Sequence, residues 1–532
     1  MAHVTLIRGP VLFPKFRPSG VVNPVPPIGV AYLAGAVRVA GHQVTCIDAA
    51  GEGLDQFRVC PLDDRLLENG LSMDAIVARI PASSTVIAIS CMFSIDWFYM
   101  LKLIRMIRTK FPSQFLIVGG EHVTADFEYI LNTMPEVDAC VLGEGENKFI
   151  SLLEALESGV AKRDLPGCVV VDPETKAIRQ NEEKDGNYRI LDVDSIPWPA
   201  WDLLPLKTYL DAGHGHGSLH ARAIPMLATR GCPHRCTFCS SAQMWTIRWK
   251  ARDVQDVLKE IKHYIKEYGV NRIEFFDLTA IIDPRWIKEF CQHLIDENLG
   301  ISWSMPSGTR TEALSQDVLE LIKQSGCIKL SYPLETGNPK VNKLINKKIN
   351  YAKSLGSMKN AVKAGIIVKT SIIIGFPFQT WGDILKEYLF AIRLAWIGSR
   401  DIVYYNFMPY PGSQIHNELV AAGLIVKDEN YPAFLARTFP GNFTDGRSWC
   451  PVISGRALRM LCLFGIAQFY FFQFLFRPHW IFQSLYRMAA RKPLTLLELG
   501  VTTVLTRFFQ RLRSDHGLSI HATATNSELS RV

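Results

Sequence analysis

The 532-residue chain has little charge for its length. Charged residues make up 20% and the net charge is +7. There is no Lys/Arg block and no basic tail, which argues against nucleic acid as the main partner. The N-terminus, Met1-Ala2-His3-Val4-Thr5-Leu6-Ile7-Arg8, lacks the basic stretch and apolar core of a secretory leader. Paired cysteine spacing is also missing: the cysteines at 46, 60, 91, 140, 168, 291, 327, 450 and 462 are scattered, mostly in apolar runs. A disulfide framework is therefore not expected, and reduced thiols in a cytoplasmic protein are. Hydrophobic content of 48% fits a large folded core, and the length suggests two to four domains.

What is present is Arg230-Gly231-Cys232-Pro233-His234-Arg235-Cys236-Thr237-Phe238-Cys239-Ser240. Three cysteines are spaced C-x3-C-x2-C directly after an apolar run, 223–228, that reads as a short buried strand. Thiolates crowded on a loop suit a soft metal or an iron–sulfur cluster. Three are too few to close a four-ligand site, so one metal position would stay open for chemistry. A structural zinc site is the competing reading. His234 is badly placed to complete a tetrahedron with its neighbours, and a fourth ligand would have to come from elsewhere.

The N-terminal third alternates apolar strands, at 3–8, 43–48, 85–92, 115–118 and 138–142, with helical patterns at 28–39, 73–80, 97–110 and 127–132. That alternation indicates a doubly wound parallel sheet, which binds ligands at the carboxyl ends of its strands. Those ends carry Ser90, then Gly119-Gly120-Glu121-His122-Val123-Thr124, then Gly143-Glu144-Gly145-Glu146. Glycines there let backbone approach a bulky ligand, although tight turns explain each motif taken alone, and Glu146 can equally serve a helix start. Together with Pro26-Pro27-Ile28-Gly29-Val30-Ala31-Tyr32-Leu33-Ala34, these segments resemble the cobalamin-binding domain fused to many radical SAM enzymes, over residues 1–155. The resemblance implies a Rossmann-like cobalamin site touching Ser90, Gly119, Gly120, His122, Gly143, Glu144 and Gly145. The Asp-x-His-x-x-Gly motif that places a histidine below cobalt in some relatives is absent, because Asp48 is followed by Ala-Ala-Gly-Glu-Gly. By resemblance, cobalamin is held without a protein His axial ligand. His122 is read either as a pocket residue or as a turn-stabilising or surface histidine.

Residues 156–222 read as a linker. Two prolines and two tryptophans within 194–202 exclude a regular helix and suggest an extended strap between domains. His214, His216 and His220 lie in a Gly-rich stretch, read as a flexible loop over a metal site because no acidic or Cys partner is near. From 223 to 430 a second series follows, with strands at 224–229, 272–277, 301–306, 327–332, 367–374 and 401–407 and helices at 254–266, 284–297, 315–325, 351–364 and 381–396. Six such units suggest a partial (β/α)6 TIM-like barrel.

The cysteine spacing after the first of these strands, with Phe238 just before the third cysteine, resembles the radical SAM superfamily. The resemblance implies that Cys232, Cys236 and Cys239 hold a [4Fe–4S] cluster whose fourth iron binds S-adenosylmethionine, with Phe238 near the adenine. It also implies cofactor roles for Asp277, Arg310, Glu335 and Gly375 at the strand ends. Arg310 is open between carboxylate capture and a barrel ion pair, Glu335 between cofactor contact and a barrel-mouth salt bridge. Gly375 shapes a turn against the cofactor.

Beyond 431 the chain becomes strongly apolar. Residues 461–476 fall short of the ~20 needed for a membrane span, and a second apolar helix is expected over 494–509. A helical cap on the barrel and an in-plane helix pair on lipid are both open, the second placing the protein at the inner face of the membrane. The tail from Ser514 reads as disordered. By resemblance the chain is a cobalamin-dependent radical SAM enzyme that C-methylates an unactivated carbon of a small or hydrophobic metabolite. Its electron would come from a donor such as flavodoxin or ferredoxin. A cyclase or rearrangement enzyme using the same cofactors, a methylthiotransferase and a non-enzymatic cobalamin or redox sensor are the alternatives.

Overall fold

The computed structural model describes residues 1–15, 24–181, 190–214, 221–311, 313–438, 447–490, 493, 495–502 and 505. Its N-terminal sheet contains β1 (His3–Arg8), β2 (Gln43–Asp48), β3 (Val86–Ser90), β4 (Phe115–Gly119), β5 (Ala139–Val141), β6 (Cys168–Val171) and β7 (Ile178–Asn181). The spatial order is β7-β6-β5-β4-β3-β1-β2. The first five strands pair in parallel, and the last two join antiparallel.

Alternate side chains on these strands enter different cores, as a pleated strand buried on both faces requires. Val4, Leu6, Ala88 and Ile117 pack with the helices α1 (Ile28–Val39) and α4 (Glu146–Glu157). Ile7, Ile87, Ile89, Leu116 and Val118 pack with α2 (Trp97–Lys110) and α3 (Glu121–Thr133). The sheet is thus doubly wound.

It extends past residue 155, into the segment read as linker. Val169 is buried in one core and Val170 in the other, so the β6–β7 hairpin completes the sheet rather than leaving it. A small antiparallel sheet of Val11–Pro14, Phe57–Val59 and Leu66–Asn69 was not legible in the sequence.

The Pro/Trp segment does run as a strap, and a short helix, α5 (Leu206–Asp211), follows it. The Ala200 amide donates to the carbonyl of Ala31 on α1. On its other side, Trp201 Nε1 donates to the hydroxyl of Tyr264 at 3.0 Å, and Trp198 Nε1 to Asp256 at 3.2 Å. Of the three loop histidines, His214 is described; His216 and His220 lie outside the described residues.

Six parallel strands form the second sheet in sequential order: β8 (Ala223–Met226), β9 (Arg272–Phe275), β10 (Ser302–Met305), β11 (Cys327–Glu335), β12 (Ile367–Ile374) and β13 (Asp401–Asn406). The helices between them are α6 (Val254–Tyr268), α7 (Pro284–Glu297), α8 (Gln316–Gln324), α9 (Tyr351–Lys363) and α10 (Trp381–Ile397). Local chemistry sets their ends. Asp253 caps α6 through the Gln255 and Asp256 amides, and Gly269 closes it at φ 62°. Thr380 and Asp383 form a capping box on α10.

After β13 come α11 (Gln414–Ala421) and α12 (Asn430–Arg437), then α13 (Gly455–Phe476) and α14 (His479–Ala489). The α13 helix is 22 residues long, not 16, because Ser454 caps it six residues before the apolar run begins. The expected helix over 494–509 lies largely outside the described residues.

Gly35 on α1 tests the strap. A Cβ there would stand 2.5 Å from the carbonyl oxygen of Trp198. Gly35→Ala is expected to push the strap off α1 and lower the thermal midpoint by a few degrees. An unchanged midpoint would contradict that packing.

Candidate functional site

The three clustered cysteines lie on a loop closed at its base by a two-residue ladder, in which Thr229 pairs with Ala251 and Arg230 with Lys250. Three further contacts fix the loop. The Thr237 amide donates to Ile345 O, the Ile415 amide donates to Thr237 O, and Asn346 Nδ2 donates to Arg235 O at 2.8 Å. Cys232, Cys236 and Cys239 are all half-exposed, whereas eight of the other nine cysteines are buried. Thr279 Oγ1 donates to Cys232 Sγ at 3.2 Å. Burial pushes the Cys236 thiol up, opposed by the nearby Lys347 ammonium. Burial also pushes Cys239 up to about 11.

Among the described residues, no three His, Cys, Asp or Glu side chains are gathered tightly enough to hold one ion. Zinc needs its thiolates around a single point, whereas a cluster takes each thiolate on a different iron. Three cysteines on one loop are the donor type that an iron–sulfur cluster takes.

Beside Cys236 the barrel mouth collects charge. Glu335 ends β11 at an irregularity in the strand pairing, with φ 63°, a conformation non-glycine residues rarely adopt. It is buried, accepts from Ser371 Oγ at 3.0 Å and pairs with Lys347 Nζ at 3.2 Å. Lys347 lies 5.7 Å from the centre of the Phe238 ring, which packs edge-on against Phe376. Arg310 donates to the Lys347 and Lys348 carbonyls at 3.0 and 3.3 Å, bracing that turn. Both of these bonds go to backbone carbonyls.

Four other expected contacts are corrected. Asp277 is 1% exposed, and its carboxylate accepts from the amides of Ala228 and Thr229 and the hydroxyl of Thr229. It holds the base of the cysteine loop and does not face a ligand; burial pushes it up to about 6. Gly375 has φ 92°, and a Cβ there would stand 2.6 Å from Leu458 of α13. The close approach at that turn is therefore to the C-terminal helix. Glu144 is enclosed, with one oxygen taking the Arg230 guanidinium and the other the Ile190 amide. His122 is 2% exposed, its ring 4.8 Å from Trp97 and its Nδ1 3.0 Å from Ser94 Oγ. Burial pushes His122 down to about 4, so it sits neutral inside the N-terminal domain.

The remaining strand-end residues form one edge. Ser90 and Gly119 are register partners at the ends of β3 and β4. Gly120, at φ 119°, could not carry a side chain, since its Cβ would meet the Cys91 carbonyl at 2.6 Å. Gly145 stands at the N-terminus of α4. Gly143 donates to Thr124 Oγ1 at 2.9 Å and opens onto a cavity of about 390 Å³, also lined by Asp126, Leu142, Asn417 and Lys427. This edge can take a large flat ligand over glycine backbone.

The edge faces the cysteine loop. Just before Cys232, Arg230 reaches into the N-terminal domain, pairing with Glu144 at 3.1 Å and Glu146 at 2.6 Å. The Tyr32 ring lies 4.8 Å from its guanidinium. Burial opposes the charge, and the two carboxylates outweigh it, so Arg230 stays protonated. Just after Cys239, Ser240 Oγ donates to Glu121 beside the Gly119-Gly120 turn.

Residues 226–391 match the Radical SAM superfamily and residues 20–153 the B12 binding domain. An uncharacterised methyltransferase of Pyrococcus horikoshii is 31% identical over 404 residues, 75% of this chain and 80% of that one. The chain belongs to the cobalamin-binding radical SAM enzymes. The cytidylyl-2-hydroxyethylphosphonate methyltransferase of Streptomyces wedmorensis is 27% identical over 76% of this chain and 79% of its own. The fold is shared with TsrM, a radical S-adenosylmethionine methyltransferase of Kitasatospora setae solved with cobalamin and a [4Fe–4S] cluster bound. Its TM-score is 0.58 at 13% identity, over 80% of this chain and 79% of that one. Membership of the radical SAM superfamily and possession of a B12 binding domain give this enzyme a [4Fe–4S] cluster, S-adenosylmethionine and cobalamin as cofactors.

Arg230, Glu121, Ser240, Thr279 and Lys347 were not singled out from the sequence. The one available signal was a lone Arg closing an apolar strand directly before the cysteines. Arg230→Met would strand two buried carboxylates, at a cost of about 3–5 kcal/mol. The triple variant Arg230→Met/Glu144→Gln/Glu146→Gln is expected to recover most of the loss in a denaturant titration. Equal stability of the single variant and the parent would contradict the buried pairing.

Proposed function

We propose that the enzyme transfers a methyl group to an unactivated carbon of a small or hydrophobic metabolite, with Cys232, Cys236 and Cys239 as the cluster ligands. The observation that carries this reading is the bonding of both ends of the cysteine loop to the ligand edge of the B12-binding sheet. When bound, the reduced cluster supplies the electron that cleaves S-adenosylmethionine, and cobalamin supplies the methyl carrier.

The chain's own residues do the positioning. Arg230 and Ser240 set the cysteine loop against the Gly119-Gly120 edge. Glu335 and Lys347 place a carboxylate and an ammonium beside Cys236, where they complement the charged amino-acid end of S-adenosylmethionine. Phe238 offers an aromatic surface for the adenine. Twelve unpaired thiols fit a reducing cytoplasm, with flavodoxin or ferredoxin as donor.

The test needs no substrate. The protein is reconstituted anaerobically with iron, sulfide and cobalamin, then reduced and given S-adenosylmethionine with a labelled methyl group. Label on cobalamin and release of 5′-deoxyadenosine are expected. Cys236→Ala should lose most of the iron and all 5′-deoxyadenosine while keeping cobalamin. A protein that takes iron but refuses cobalamin would contradict the assignment.

A further inference from the structure

The barrel wears an apolar face that nothing in the reaction uses. On α13, Phe464, Phe471 and Leu475 are 57%, 63% and 60% exposed and follow one another at helical spacing. They point away from the stripe of Leu458, Cys462, Gly465, Phe469 and Gln473 that seats the helix on the barrel. The neighbouring α10 carries its own exposed stripe, Leu385, Leu389 and Trp396. Ring contacts between Tyr388 and Phe464 at 5.2 Å and between Trp396 and Phe476 at 5.0 Å join the two helices. Phe482 and Tyr486 on α14, 72% and 74% exposed, add a third exposed pair. Soluble monomers seldom leave so much large apolar surface in water, and such patches mark contact sites.

Charge selects the occupant. From residue 446 to 497 the chain has no Asp or Glu, but seven Lys or Arg: 447, 456, 459, 477, 487, 491 and 492. On α10 the two carboxylates, Asp383 and Glu387, are buried, whereas Lys386 and Arg393 are exposed. Arg456 is exposed at the head of the α13 stripe. An apolar face bordered by cations, with no carboxylate at its surface on these two helices, matches an anionic bilayer.

The 22-residue α13 is long and apolar enough to cross a membrane. Its other side is committed to protein, however. Gly465 lies so close to the Tyr404 ring that a Cβ would stand 2.6 Å away, and Gln473 donates to the Ser399 carbonyl at 2.6 Å. A helix so committed can meet a bilayer only in the plane of its interface, not across it.

We propose that the α10–α13–α14 face docks the enzyme on an anionic lipid surface, whatever reaction the barrel performs. The reconstituted full chain is floated with vesicles of phosphatidylglycerol and phosphatidylcholine, or of phosphatidylcholine alone. Flotation with the anionic vesicles is expected, and Phe471→Ser/Phe482→Ser should reduce the bound fraction roughly tenfold or more. Both variants should keep parental iron and cobalamin content. Lys386→Gln/Arg393→Gln/Arg456→Gln should abolish the preference for anionic lipid. No flotation with either vesicle would overturn the proposal, as would flotation unaffected by the Phe substitutions. A concentration-dependent dimer dispersed by Phe471→Ser would instead assign the face to a second copy of the chain.

Discussion

A buried cation holds the two halves of this enzyme in register. Arg230 leaves the barrel one residue before the Gly-Cys turn and ends between Glu144 and Glu146 of the other domain, 5% exposed. Removing a guanidinium from water is expensive unless charge and hydrogen bonds replace the lost solvation, and two carboxylates with an aromatic face do so here. The arrangement is directional. A hydrophobic interface of similar size would tolerate sliding, whereas this pairing fixes where the cysteine loop begins relative to the strand ends of the B12-binding sheet.

Other contacts close the remaining freedom. Ser240 anchors the far end of the loop through Glu121. The strap threads between α1 and α6, hydrogen-bonded to both. On the opposite side, α12 packs Leu435 and Ala436 into the N-terminal core, and the segment around it adds the ion pairs Lys427–Asp126 and Arg437–Asp63. Both cofactor faces thus belong to one body. Arg230, Ser240 and the strap set how those faces meet.

Regular elements were legible in the sequence because each carried its own local rule. Residues 28–39, 284–297 and 367–374 read correctly to the residue, the first two from helical periodicity and the third from an apolar run. Elements whose burial depends on distant partners were missed or cut short, among them α14 and the small sheet beside β1. At the site, the resemblance gave Glu144, Asp277 and Gly375 cofactor contacts, whereas the structure sets each against a distant part of the chain. Their partners are Arg230, 86 residues on from Glu144, Thr229, 48 residues before Asp277, and Leu458 near the C-terminus. Each proved to hold protein to protein. Glu335 forms a barrel-mouth salt bridge, one of its two expected readings, with Lys347 as the unforeseen partner.

The central claim is that the two cofactor sites form a single rigid pair. The most direct test is the dipolar coupling between cob(II)alamin and the reduced [4Fe–4S] cluster in the doubly reconstituted enzyme, measured by pulsed electron paramagnetic resonance. The account predicts one narrow distance distribution, unchanged when S-adenosylmethionine is added. A broad distribution, or two populations that shift with S-adenosylmethionine, would contradict it.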